Sequence, residues 1–165
     1  MQQKGFTLIE AILYVGISSL VIFVVSFFLI FLLQINIKNQ TVAEIDSQGL
    51  FIVRLINQTI RNSINVEGPI PNESDSVLSL GMADSLKNPT DFFTENGVLY
   101  IKEGTSERVA LTNSLVSLSE LIFENYSVNS LKDSISFSFV LSRINNSGRN
   151  EYNYSKKFYG AASTR

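Results

Sequence analysis

The chain has 165 residues, of which 45% are hydrophobic and 17% charged, and its formal net charge is -2. A slightly acidic chain with no sizeable local Lys/Arg cluster lacks the electrostatic footprint of a nucleic-acid binder, so no direct nucleic-acid partner is expected. Cysteine and histidine are absent, which excludes disulfides and thiol nucleophiles and removes the commonest general base and zinc ligand. We therefore expect no enzyme, no catalytic residues, no metal site and no cofactor.

An apolar segment lies close to the N-terminus. Residues 11–33 contain no Asp, Glu, Lys, Arg, Asn, Gln or Pro, and at about 1.5 Å per helical residue they are long enough to cross a hydrocarbon core of about 30 Å. The segment is too long for an ordinary signal peptide, and no A-x-A-like cleavage site follows it. Lys4 precedes the span and Lys38 follows it, a distribution that slightly favours a cytoplasmic N-terminus.

Glu10 lies at the start of this apolar segment. A carboxylate in an otherwise apolar, membrane-length helix costs about 3 kcal/mol or more, so its presence predicts a functional role and a charged partner. A generic single-pass anchor is an alternative that explains the length of the segment, but it gives no reason for a carboxylate near one end.

The residues around Glu10 form a recognisable motif. Lys4-Gly5-Phe6-Thr7-Leu8-Ile9-Glu10, followed directly by the span, resembles the N-terminal signal of type IV prepilins and type II secretion pseudopilins. The resemblance implies that residues 1–5 are a leader, that a prepilin peptidase cleaves between Gly5 and Phe6, and that the same enzyme methylates the new N-terminus at Phe6. Glu10 then corresponds to the family's glutamate at the fifth mature position.

Glu10 is the predicted assembly residue. In a filament it would meet the N-terminal amine of a neighbouring subunit, because pairing two opposite charges relieves the cost of burying either one alone. Such a pair can also fix the axial register of adjacent helices. The chain departs from the family pattern in having no Pro in the span, so melting of the span helix on assembly stays open. It also has no cysteine pair to clamp a C-terminal loop.

The helix is predicted to continue beyond the span. Residues 6–33 form its transmembrane half and residues 34–64, which lack Pro, its amphipathic half. One face is apolar at helical spacing: Val42, Ile45, Gly49, Ile52, Val53, Ile56 and Ile60. The opposite side is polar apart from Phe51. A break near residues 36–39, giving two separate helices, is the alternative, since Asn is a poor helix former.

A turn-rich segment, Gly68-Pro69-Ile70-Pro71-Asn72, predicts a boundary between the helix and a β-rich globular head at residues 65–165. Strands are predicted at residues 78–82, 98–102, 107–112, 116–126, 133–144 and 152–159. The second and third form a hairpin with a four-residue loop. We expect one antiparallel sheet of five or six strands with one face on the amphipathic helix, an α+β, pilin-like fold.

The resemblance implies a structural subunit, a minor pilin or pseudopilin, that helps prime or build a type IV pilus or type II secretion-like filament. The head resembles those of J-type pseudopilins and W-type minor pilins. Expected partners are other pilins or pseudopilins, a prepilin peptidase, an inner-membrane assembly platform and membrane lipid.

The expected location is a single pass through the inner (cytoplasmic) membrane, with the N-terminus in the cytoplasm and the head outside, followed by an extracellular or periplasmic filament. Secretion, motility, adhesion and DNA uptake all stay open as its role. A membrane-anchored adhesion or ligand-binding module with a pilin-like head is the alternative.

Overall fold

The computed structural model describes residues 7–127 and 132–165. These residues form one α-helix, nine strands and a short 3-10 helix between the last two strands. The elements are α1 (Leu8–Asn62), β1 (Asn65–Gly68), β2 (Ser74–Asp75), β3 (Leu78–Gly81), β4 (Thr90–Glu95), β5 (Val98–Glu103), β6 (Val109–Ala110), β7 (Val116–Asn125), β8 (Ser134–Arg143), the 3-10 helix (Asn150–Tyr152) and β9 (Ser155–Ser163). The contacts divide the chain into two units, Met1–Asn39 and Gln40–Arg165.

The described part of the first unit is helical from Leu8 onward and is long and apolar enough to cross a membrane. Every side chain from residue 8 to residue 36 is exposed. The helix assignment continues through Asn36 and Asn39, so the alternative of two helices broken there is wrong. The reason is that each Asn costs only about 0.7 kcal/mol relative to Ala in a helix, and propagation along a formed helix is cooperative.

In the second unit, α1 contributes a single buried stripe to the core. The buried residues of the stripe are Thr41, Ile45, Gly49, Ile52, Ile56 and Ile60. Their spacings of three and four residues keep them on one face of a helix. The predicted apolar face is therefore confirmed at its centre, while Val42 and Val53 lie half-buried at its edges and Phe51 is exposed.

The head contains two antiparallel sheets rather than the predicted single sheet of five or six strands. One sheet has the strand order β1-β3-β4-β5-β6 and the other β2-β7-β8-β9. The prediction was wrong because alternation along a strand shows which residues share a face but not which strands pair. The two-residue strand β2 pairs with β7, with Ser74 opposite Glu124 and Asp75 opposite Phe123.

Strand β4 was missed, although a turn signal pointed to it. Its six residues pair with all of β5 across the two-residue turn Asn96-Gly97, where φ is 52° and 77°. Positive φ at both turn positions defines a type I′ hairpin, for which Asn-Gly is the preferred sequence.

The predicted hairpin of β5 and β6 is present, but β6 is only two residues long. The last strand, β9, begins at Ser155 rather than at residue 152.

The apolar residues of β7 break strict alternation, and a bulge explains how they still share one face. Val116 and Leu118 are followed by Leu121 and Phe123, all four buried. The pairing with β8 shifts between Ser119 and Ile122. The extra residue, Glu120, has a φ of 52°. A β-bulge adds one residue to a strand and so shifts which later side chains face the core. Leu118 and Leu121, on either side of the bulge, therefore both face the core.

The common core lies between the helix stripe and the two sheets. On β8, Ile135, Phe137, Phe139 and Leu141 are buried, as the alternation predicted. Phe139 stacks on Phe158 of β9, with 5.5 Å between ring centroids. The Phe158 ring occupies the space next to Gly49, where an added Cβ would overlap it. The absence of a side chain at Gly49 therefore allows the Phe158 ring to pack directly against the helix.

The end of β9 is tied to the segment that follows the helix. Ala162 and Thr164 are buried. The Thr164 hydroxyl accepts a hydrogen bond from the Asp133 amide at 3.0 Å, and the Thr164 amide donates to the Asp133 carbonyl at 2.9 Å. The Asp133 carboxylate accepts from the Val66 amide at 2.8 Å. One residue thus joins the last strand to β1.

Candidate assembly site

Glu10 lies in the first turn of α1, immediately after a helix cap. The Thr7 carbonyl accepts a hydrogen bond from the Ala11 amide at 3.1 Å, and the Thr7 hydroxyl accepts one from the Glu10 amide at 3.4 Å. A threonine followed three residues later by a glutamate has the spacing of a capping box. Of the two hydrogen bonds that define this motif, the one from the Glu10 amide to the Thr7 hydroxyl is present. The helix dipole also favours a carboxylate at this end.

The carboxylate of Glu10 lies among exposed apolar side chains. Leu8 is 81% exposed and Ile9 is 77% exposed, and Ile12 and Leu13 on the next turn are exposed as well. All ion pairs among residues 7–127 and 132–165 lie in the second unit and none includes Glu10. A cation that pairs with this carboxylate must therefore come from outside the described residues.

Of the three site residues predicted from the sequence, Glu10 alone lies within the described residues. Gly5 and Phe6 lie outside them, so the processing site stays a prediction. The helix begins at Leu8, three positions beyond the proposed cleavage point, and Thr7 supplies its cap. Sequence reasoning did not identify Thr7, although the Thr-x-x-Glu spacing ahead of an apolar run is a recognised start signal for helices.

Two adjoining clefts in the second unit, which we call the basic clefts, bring together cations that are distant in the sequence. The first, of about 570 Å³, is lined by Arg61, Lys132 and Arg165 together with uncharged residues. The second, of about 550 Å³, is lined by Arg54, Arg61 and Arg165 together with amide side chains. Among the described residues that line them, none has a carboxylate side chain. The sequence suggested no cationic cluster because these four residues span positions 54 to 165.

Elsewhere in the second unit, five ion pairs join charged side chains among the described residues. Lys156 on β9 lies 2.8 Å from Asp46 on α1, and its hydrogen bond to Asp46 raises the pKa of Lys156. Its neighbour Lys157 lies 3.8 Å from Glu120. Both lysines are exposed on β9, an edge strand of its sheet. Charges there discourage pairing with other chains.

Two further pKa shifts have local causes. The pKa of Glu151 is lowered by a backbone hydrogen bond first and by the Arg149 side chain second. The pKa of Tyr126 is raised because the neutral phenol donates a hydrogen bond to Glu124 at 2.6 Å and the carboxylate charge opposes formation of the phenolate. Neither side chain is buried, so both shifts reflect immediate neighbours.

Glu124→Gln is expected to lower the pKa of Tyr126 toward its usual value of 10.0. A pKa that is higher in the folded protein favours folding below the unfolded value, and this contribution is lost as the pH rises through the folded value. The check is an alkaline absorbance titration of tyrosinate, with Tyr126→Phe identifying the relevant phenol. Identical titrations of the wild type and Glu124→Gln would contradict the assignment.

Comparisons with family models, with curated proteins and with solved structures found no match for this chain. Among residues 7–127 and 132–165, no group of three or more His, Cys, Asp or Glu side chains is arranged to hold a metal ion. The functional assignment therefore depends on the N-terminal motif, the apolar helix and the geometry of the two sites described above.

Proposed function

We propose that this chain is a structural subunit, a minor pilin or pseudopilin, of a type IV pilus or a type II secretion-like filament. The observation that carries the proposal is the start of α1. There, a capped first turn presents Glu10 four residues after Phe6, and an apolar helix whose side chains are exposed as far as residue 36 follows it.

The apolar side chains of the exposed helix must be buried by lipid or by other proteins. Large apolar side chains from Leu8 to Leu33 lie on all sides of the helix and are exposed. Burying one such side chain contributes about 1.5–3 kcal/mol. A helix that is apolar all round is stable only within a membrane or surrounded by other apolar surfaces. Lipid would cover it before assembly, and the helices of other subunits would cover it in a filament.

Glu10 gives a reason for the subunit to leave the membrane for the filament. Within lipid its carboxylate has no partner among the described residues. In the filament the amine of a neighbouring subunit's mature N-terminus would supply one. Incorporation would then exchange an unpaired carboxylate for a paired one, and the pairing would set the register between helices.

The head is built to remain folded through that exchange. Its core is formed by the Ile45–Ile60 stripe of α1 and both sheets, all within residues 40–165. None of the core residues belongs to the apolar part of the helix ahead of residue 40. The head can therefore keep its structure while the surroundings of the first unit change from lipid to protein.

The proposed location and partners follow from this scheme. The chain would cross the inner membrane once with its N-terminus in the cytoplasm, where a prepilin peptidase would cut after Gly5. An assembly platform in the same membrane would then join it to other pilins or pseudopilins. The head would lie outside the cytoplasm and end in a periplasmic or extracellular filament.

The decisive test is the intact mass of the protein extracted from its native cells, or from cells that also produce a prepilin peptidase. We expect a chain that begins at N-methylated Phe6. Mass spectrometry of the same preparation should also show a control prepilin in its processed form. A chain that retains residues 1–5, in cells where the control is processed, would overturn the proposal.

A membrane-anchored ligand-binding module with a similar head is the second candidate, and the basic clefts favour it. Such a protein needs the apolar helix as an anchor but needs neither leader cleavage nor Glu10. Retention of residues 1–5 would therefore favour this candidate, whereas a methylated Phe6 would favour the filament subunit.

A further inference from the structure

We propose that the basic clefts bind a linear oligophosphate, an anion that carries two or more phosphate groups. This is a binding function beyond a structural role in a filament. It rests on the charge, the donor chemistry and the adjacency of the two clefts, all of which lie within residues 40–165.

The first argument is that cations outnumber carboxylates at the clefts. Glu124 accepts hydrogen bonds from Tyr126 and Ser136 of the first cleft, but it forms no ion pair with the cleft cations. Among the described residues, Arg54, Arg61, Lys132 and Arg165 take part in no ion pair and come together at the two clefts. The other described cations without an ion pair, Lys38, Lys102 and Arg143, line neither cleft. This grouping occurs in a chain of net charge -2. Like charges held near one another repel, and a bound polyanion relieves that repulsion.

The second argument is the donor chemistry on α1. Arg54 and Arg61 are seven residues apart, which places them about 10.5 Å apart along the helix axis and on the same side. Asn57, Gln58 and Asn62 line the same cleft. The buried Oδ1 of Asn57 has no hydrogen-bond partner among the described residues, and rotation of the amide would present two N–H donors there. Guanidinium and amide groups are the donors that phosphate oxygens accept from.

The third argument separates phosphate from carboxylate. One guanidinium fork satisfies both oxygens of a carboxylate. The basic clefts instead place donors from α1 and from the segment after β9 around two adjoining volumes. A phosphate group, with oxygens pointing in several directions, makes use of all of them. Because Arg61 and Arg165 line both clefts, a ligand with two phosphate groups can occupy both.

The fourth argument separates an oligophosphate from a nucleic acid. Proteins that bind single strands combine a cationic groove with several aromatic side chains on which bases stack. Tyr126 is the single aromatic residue among the described lining residues of the two clefts. The clefts therefore offer charge and hydrogen-bond donors but not a row of stacking surfaces.

Calorimetric titration of the full chain in non-ionic detergent with inorganic tripolyphosphate tests the proposal. We expect saturable binding that weakens with added salt. Arg54→Gln/Arg61→Gln should weaken it by about tenfold or more, because the charged hydrogen bonds of both guanidinium groups are lost. Lys87→Gln/Lys102→Gln removes the same charge from another part of the head and should change binding less than about twofold.

Three results would overturn the proposal. The first is an absence of tripolyphosphate binding, or equal binding by Arg54→Gln/Arg61→Gln. The second is equal binding of citrate, which would assign the clefts to carboxylates. The third is tighter binding of a single-stranded oligonucleotide than of tripolyphosphate. If the double variant has a lowered Tm, Arg165→Gln provides the same comparison outside the helix, and Arg54→Lys should recover part of the affinity.

Discussion

If the proposed filament role holds, Glu10→Gln is expected to lower incorporation of the protein into filaments by roughly a hundredfold, while its amount in the membrane stays unchanged. Removing one partner of a buried ion pair costs about 3–5 kcal/mol, since it leaves the other charge unpaired. Each 1.4 kcal/mol corresponds to about tenfold in an equilibrium. Before assembly the carboxylate has no protein partner among the described residues, so loss of its charge should not reduce insertion.

The choice of glutamine separates the charge of Glu10 from the Thr-x-x-Glu spacing at the start of the helix. Glutamine at the third position of a helix can complete a capping box as glutamate does, so the substitution removes the charge and keeps the cap. Thr7→Val is the matched variant, because it removes the hydroxyl that accepts from the Glu10 amide and keeps the carboxylate. Loss of a cap costs about 1 kcal/mol, so this variant should still assemble to a large extent.

The measurement is the ratio of subunit in sheared filaments to subunit in membranes, by immunoblot, in cells that assemble the filament. Wild-type incorporation of Glu10→Gln would show that the charge has no part in assembly. Equal loss in Thr7→Val and Glu10→Gln would show that the helix start, rather than the ion pair, is what assembly requires.

Gly49→Ala is expected to destabilise the head by about 2 kcal/mol, although alanine is the better helix former by about 1 kcal/mol. The new methyl group would overlap the ring of Phe158. That ring cannot withdraw easily, because it is 6% exposed and stacks on Phe139. Helix and strand would have to separate to make room, which opens the core along the Ile45–Ile60 stripe.

The measurement is the thermal midpoint of the head by circular dichroism, with the full chain in detergent. Gly16→Ala is the matched control, because Gly16 lies in the same helix with nothing near its added Cβ. It should leave the midpoint unchanged or raise it. Phe158→Leu should offset part of the loss in a double variant, since coupled neighbours are not additive. A raised midpoint for Gly49→Ala would contradict the close packing described here.

Local patterns predicted the parts of the fold that depend on one element at a time. The stripe from Ile45 to Ile60 follows from helical spacing, and the buried face of β8 follows from strict alternation of Phe137 and Phe139 with serines. β4 was also within reach, because Asn96-Gly97 predicts a hairpin and therefore a partner strand on each side.

Features that join distant segments could not be predicted in this way. No local sequence pattern indicates that β2 pairs with β7 or that the strands divide into two sheets. The bulge at Glu120 hides the alternation of β7. The basic clefts are the extreme case, since Arg54 and Arg165 become neighbours only after the last strand has packed. Of the assembly site, the sequence predicted Glu10, and the structure added its Thr7 cap.

The hydrogen bonds that Asp133 makes to Thr164 determine where this protein can be labelled. A fluorescent or affinity tag fused after Arg165 would start beside a buried residue and at the mouth of both basic clefts. The exposed turn after β8 is a better position, because Gly148 has open space around it and such turns tolerate insertions. A short epitope placed there would let the protein be followed by microscopy with the clefts and the last strand left intact.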